Sequence, residues 1–87
     1  MAQVELSVHP NPSRLEVINV LINPPSGEEK GVLSIFSSDG VKIQSINVNT
    51  GLESNYEINS TGWNSGIYFI IYNGENSQTS SSKIIIQ

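Results

Sequence analysis

The chain has 87 residues and no cysteine. No disulfide can staple the fold, no thiolate is available as a nucleophile, and no cysteine-based zinc or iron–sulfur centre can form. Positive charge is also scarce, with four Lys+Arg against eight Asp+Glu and a pI near 4.6. Such a chain lacks the basic stripe that releases counterions from a phosphate backbone, which speaks against nucleic acid as a partner. Alanine occurs once, so helix has little support. No apolar stretch approaches the roughly 18 residues of a membrane helix, and no membrane insertion is expected. The start, Met1-Ala2-Gln3-Val4-Glu5, lacks the basic and apolar regions of a signal peptide. Export would need an address upstream of residue 1, with Met1-Ala2 a start added to an excised piece.

What the chain does have is strand chemistry. Twelve Ile, seven Val and five Leu are set among abundant Ser and Asn; β-branched residues pack well on a pleated sheet, and Ser and Asn suit turns. At this length one domain is expected, able to bury roughly 60 to 65% of the surface its unfolded form exposes. Gln3 to Val8 alternates, with Val4, Leu6 and Val8 on one face, which predicts a half-buried first strand. His9-Pro10-Asn11-Pro12 ends it, because two prolines remove two N–H donors and extend the residue before each. Leu15 to Ile22 reads as a second strand with Leu15 and Val17 inward, followed by a run, Val20-Leu21-Ile22, that fits either face and suits a bulge. Asn23-Pro24-Pro25-Ser26-Gly27 breaks it.

Gly31 to Ser37 alternates through Leu33 and Ile35, and Asp39-Gly40 predicts a hairpin turn that pairs strands three and four. Val41 and Ile43 share one parity while Ile46 and Val48 share the other, so strand four is expected to change register at a bulge or where it crosses between sheets. Tyr56 and Ile58 mark a fifth strand. Ile67 to Tyr72 is apolar on both faces and is expected to be central. A hairpin loop from Asn73-Gly74 leads to a seventh strand, Ser82 to Ile86. The expectation is all-β: an antiparallel, immunoglobulin-like β-sandwich of about seven short strands.

Chemistry-bearing patterns are thin. One His, one Asp and fourteen Ser supply the residue types of a hydrolytic triad, yet no Gly-x-Ser-x-Gly elbow is present. His9 reads as a corner residue bonding locally, and Glu28-Glu29 as a solvated pair rather than an acid/base couple. Asp39 lacks the Asp-x-Asp spacing that supplies several oxygens to calcium, and its turn explains it. No catalytic, cofactor or metal residue is assigned. Asn59-Ser60-Thr61 matches a glycosylation acceptor, a triplet that arises easily in so Asn- and Ser-rich a chain. Tyr56, Trp63, Tyr68 and Tyr72 contain the makings of a sugar-stacking platform, although Ile and Phe neighbours favour core packing with hydroxyls at the rim. Trp63 either caps the sandwich or is exposed to a partner.

The order of motifs is more specific than any one of them. Pro10-Asn11-Pro12 leads into a strand; Ile35-Phe36-Ser37-Ser38-Asp39-Gly40-Val41-Lys42-Ile43 follows; then come Ile58 to Phe69, with Trp63-Asn64-Ser65-Gly66-Ile67-Tyr68 at its centre, and a last strand bearing Lys83. This order resembles the type A C-terminal sorting domain of the type IX (Por) secretion system over nearly the whole chain. Trp63 stands where that family usually has Leu, Ser37 where Asp is common, Ser38 where an apolar residue is common, and Gln87 where Lys or Arg is frequent. Lys83 keeps a basic residue in the terminal strand.

The resemblance implies a signal without chemistry. It implies a domain, residues 10–87, preceded by residues 1–9 as linker or first strand and covalently linked to an N-terminal cargo. The secretion machinery would carry that cargo from the periplasm through the outer membrane to the cell surface or the medium. A sortase-like protease would then remove the domain. On this view the chain is not an enzyme and needs no cofactor. The residues carried over are Pro10, Asn11, Pro12, Asp39, Gly40, Gly66, Tyr68 and Lys83, and an edge strand near the C-terminus offers β-augmentation as a mode of reading. The rival reading is a fibronectin-like carbohydrate- or protein-binding module of a secreted protein.

Overall fold

The computed structural model describes residues 5–9, 17–23, 30–51, 55–75 and 79–87. Pro10-Asn11-Pro12, Leu15, the Pro24 to Gly27 break and Glu28-Glu29 lie outside the described residues. Among the described residues there are seven strands: β1 Glu5–His9, β2 Val17–Asn23, β3 Lys30–Ser37, β4 Lys42–Asn49, β5 Asn55–Asn59, β6 Gly66–Gly74 and β7 Ser80–Ile86. All pairings are antiparallel, in a three-stranded sheet of order β1-β2-β5 and a four-stranded sheet of order β4-β3-β6-β7. No helix occurs among the described residues.

One core joins the two sheets. From the first come Val8, Ile18, Val20, Ile22 and Ile58, and from the second Leu33, Ile35, Val48, Tyr68, Ile70, Tyr72, Ile84 and Ile86, all buried together. Their alternation along each strand is the period of two that places one face of a pleated sheet against its neighbour. The expected all-β sandwich is the observed architecture, and β6 is central, flanked by β3 and β7.

Three sequence expectations need correction. Val17 points outward at 39% exposure, and the inward set of β2 is Ile18, Val20 and Ile22. The reason is that β2 must offer one continuous apolar face between β1 and β5; Asn19 and Asn23 interrupt the other phase, and the register shows no shift. β2 thus has no bulge, whereas the one expected for strand four is present in the β3–β4 pair, where Ile35 faces Gln44 but Phe36 faces Lys42, leaving Ile43 as the extra residue. This explains the parity change along β4 without any crossing between sheets. Lastly, Asn73 and Gly74 are ladder residues opposite Val32 and Gly31. The last hairpin therefore opens later than the Asn-Gly signal suggests, and β7 begins at Ser80.

Gly31 has a packing reason to be glycine. A Cβ there would sit 2.5 Å from the Asn73 carbonyl oxygen and 2.8 Å from the Tyr72 ring. Its absence lets the Tyr72 side chain, fully buried, lie across β3.

Candidate functional site

Asp39 and Gly40 form the β3–β4 turn. The Gly40 N–H donates to the Ser37 carbonyl at 3.0 Å and the Ser37 N–H to the Val41 carbonyl at 2.9 Å, while Gly40 takes φ 85°, a region that β-carbon-bearing residues disfavour. Asp39 is exposed at the tip. Among the described residues no three His, Asp or Glu gather as a metal site. His9 ends β1 exposed, its Nε2 2.6 Å from the Ser7 hydroxyl.

The segment before β6 braces itself. The Asn59 side-chain oxygen accepts from the Thr61 N–H at 2.9 Å, an Asx turn, and the Trp63 N–H donates to the Ser60 carbonyl at 3.0 Å. Gly66 then opens β6 opposite Ile86. Tyr68, buried, donates its hydroxyl proton to the Asn64 carbonyl at 2.7 Å. Its ring packs on Trp63 with centroids 4.9 Å apart and planes tilted by 32°. Trp63 is half-buried against the core, so of its two readings the cap is the one observed.

The remaining tyrosines are structural as well. Tyr72 is fully buried. The Tyr56 hydroxyl accepts from the Asn49 N–H at 3.0 Å and donates to the Asn49 carbonyl at 3.2 Å, tying β5 of one sheet to the end of β4 in the other. The tyrosines therefore form no sugar-stacking platform, and no pocket opens among the described residues.

A different cluster lies outside the core. The pairings Lys42 to Phe36, Phe36 to Phe69 and Phe69 to Lys83 place these four residues in one row across all four strands of the larger sheet. They face away from the core, since their chain neighbours Ile35, Tyr68, Ile70 and Ile84 are buried within it. The Lys42 ammonium lies 5.8 Å from the Phe36 ring centroid, within cation–π range. Phe69 is 38% exposed, and Ile67 and Ile85, paired beside it, are 41% and 38% exposed. Ile71 adds a half-buried side chain to the same face. The opposite outer surface, on the three-stranded sheet, pairs His9 with Asn19 and Asn19 with Glu57, and Ser7 with Leu21 and Leu21 with Asn55. That surface is mostly polar.

Of the eight motif residues, Gly40 and Asp39 share one turn, Gly66 and Tyr68 frame the start of β6, and Lys83 stands in the outer row; Pro10, Asn11 and Pro12 lie outside the described residues. The structure thus distributes the described motif residues over the molecule and gathers no single site from them. Sequence periodicity missed Phe36, Lys42 and Phe69. The available signal was the apolar outer parity of Ile67, Phe69 and Ile71, which shows only that β6 is central; that Phe36 and two lysines line up with Phe69 depends on strand register.

A family model described as a secretion system C-terminal sorting domain matches residues 7–87. No curated protein matches the chain.

Proposed function

Because the chain belongs to the type IX secretion system family of C-terminal sorting domains, we propose that it carries a covalently linked N-terminal cargo from the periplasm through the outer membrane and is then removed by a sortase-like protease. As a sorting signal it serves export to the cell surface or beyond, and its family is one of signals rather than of enzymes. The observation that carries the reading is a family match that begins within β1 and runs through the remaining six strands. The self-contained core supports it, since a domain that folds alone can be read as a unit whatever cargo precedes it. That β1 pairs along its length with β2 supports counting Glu5–His9 in the sandwich rather than in a linker, with cleavage before it.

In this reading Asp39, Gly40, Gly66 and Tyr68 act through the fold, as turns and a core tyrosine, Pro10, Asn11 and Pro12 mark the entry of the family motif, and Lys83 is the motif residue offered to the machinery. The carbohydrate-binding alternative finds no support in the placement of the tyrosines and Trp63. The test is a reporter with a periplasmic signal peptide, fused ahead of the chain in a host with a type IX system. The fusion should reach the cell surface and lose the chain, while the reporter alone stays in the periplasm. Equal periplasmic retention of both would reject the reading.

A further inference from the structure

We propose that the outer face of the four-stranded sheet, centred on the row Lys42, Phe36, Phe69 and Lys83, is a docking surface for a protein partner that presents apolar side chains flanked by carboxylates. The inference rests on the sorting reading and deepens it, because the partner is then a component of the secretion machinery. Two independent features of the face point the same way.

The first is its apolar centre. Phe36 and Phe69 are cross-strand neighbours, with Ile67, Ile71 and Ile85 beside them and three of these five side chains more than a third exposed. A sheet that faces water on one side normally alternates apolar inward with polar outward, as the three-stranded sheet does here apart from Val17 and Leu21. The four-stranded sheet departs from that rule over a contiguous patch, the signature of an interaction surface. Aromatic residues supply much of the energy at the centres of protein interfaces.

The second is charge. The chain has a formal net charge of −4 and only four basic residues. The three that are described, Lys30, Lys42 and Lys83, all occupy outward positions on this sheet, and two of them bracket the aromatic pair. Glu57 belongs to the outer surface of the other sheet, whereas Glu75 lies beside Lys30 on this one, its carboxylate accepting from the Lys30 N–H at 3.2 Å, so the excess positive charge of the face rests on Lys42 and Lys83. With strands about 4.8 Å apart, the backbones bearing the two bracketing lysines are about 14 Å from each other. A partner complementary to this row carries an apolar centre with a carboxylate towards each side. The lysine pair, on a chain of net negative charge, also orients its approach to such a partner.

Other occupants fit less well. An anionic membrane calls for a cluster of about four to eight basic residues, and two bracketing lysines fall short. Nucleic acid is opposed by the net negative charge. A second copy docked face to face would bring lysine rows together, which repels. Pairing at a strand edge is the other way a sheet is read, but the β4 edge carries the Ile43 bulge and Lys42, both devices that blunt edges, and the other edge strand, β7, packs near β1.

The test uses the full reporter fusion. Lys42→Glu with Lys83→Glu, and separately Phe69→Ser, should lower the surface-displayed reporter by about tenfold or more, as loss of a central anchor or of both charge contacts does. Lys42→Arg with Lys83→Arg should preserve display, as should Leu21→Ser on the other sheet. Circular dichroism and thermal unfolding of each purified chain check the fold; if Phe69→Ser lowers the folded fraction, the lysine pair decides alone, since both lysines are exposed. Undiminished display by the glutamate pair overturns the proposal while the sorting reading stands. No display of the unaltered fusion overturns both. Lysine-dependent co-sedimentation with phosphatidylglycerol vesicles would assign the face to lipid, and a dimer in sedimentation that Phe69→Ser dissolves would assign it to a second copy; either result overturns the proposal.

Discussion

Gly31 and Tyr72 show how a single missing carbon shapes the core. Because the Asn73 carbonyl and the Tyr72 ring occupy the space a Cβ would need, Gly31→Ala must displace backbone or a buried ring, and overpacking of this kind costs about 1–3 kcal/mol. Urea unfolding should register that loss; an alanine variant as stable as the parent would mean that β3 shifts freely away from β6. Tyr68 is a second test at this scale. Its hydroxyl bond to the Asn64 carbonyl holds the segment that carries Trp63 over the core, so Tyr68→Phe should cost about 0.5–1.5 kcal/mol. Trp63 fluorescence should shift towards that of a more solvated indole, whereas an unchanged spectrum would separate the hydroxyl from the position of the cap.

Among elements, β3 and β6 are the inner strands of the larger sheet and β4 and β7 its edges. Inner strands have both rows of backbone groups in ladders and open only when the sheet does, while an edge frays. Amide hydrogen exchange should therefore be slowest in β3 and β6 and fastest, among the strands of this sheet, in the first half of β4, where Lys42 to Ser45 are exposed and the bulge interrupts pairing. Slower exchange across Lys42 to Ser45 than across Ile70 to Tyr72 would contradict the topology. The elements were largely legible in the chain. Alternation marked β1, β3 and β5, the Asp39-Gly40 signal placed the hairpin, and the double-sided apolar run marked β6 as central. The phase of β2 was not legible, because Val20-Leu21-Ile22 satisfies either face until its neighbours are known. The Asn73-Gly74 signal misled, since a glycine opposite Gly31 continues the ladder as readily as it turns it.

For the molecule as a whole, the last strand is part of the core. Ile84 and Ile86 are buried against the other sheet's residues, and losing an isoleucine side chain from a core typically costs about 2–5 kcal/mol. Total stability for a domain of this kind is about 5–15 kcal/mol. Removing residues 83–87 should therefore abolish cooperative thermal unfolding of the purified chain, and any export defect of that truncation would report unfolding as much as a lost address. Lys83→Ala shortens an exposed side chain and should change stability by no more than about 1 kcal/mol. A truncated chain that still melts cooperatively would show that β7 is dispensable to the sandwich.

Local chemistry was enough to reveal a cysteine-free, strand-rich, acidic chain, and the order of its turn motifs was enough to suggest its family, because proline corners, an Asp-Gly turn and two-residue alternation are properties of neighbouring residues. Assembly was needed to show which strands share a sheet and which residues stand level with one another. Phe36, Phe69, Lys42 and Lys83 are far apart in the chain and unremarkable singly; strand register alone sets them in a row. Register follows from the joint burial of two sheets' inner faces, a long-range condition that no short window of sequence contains.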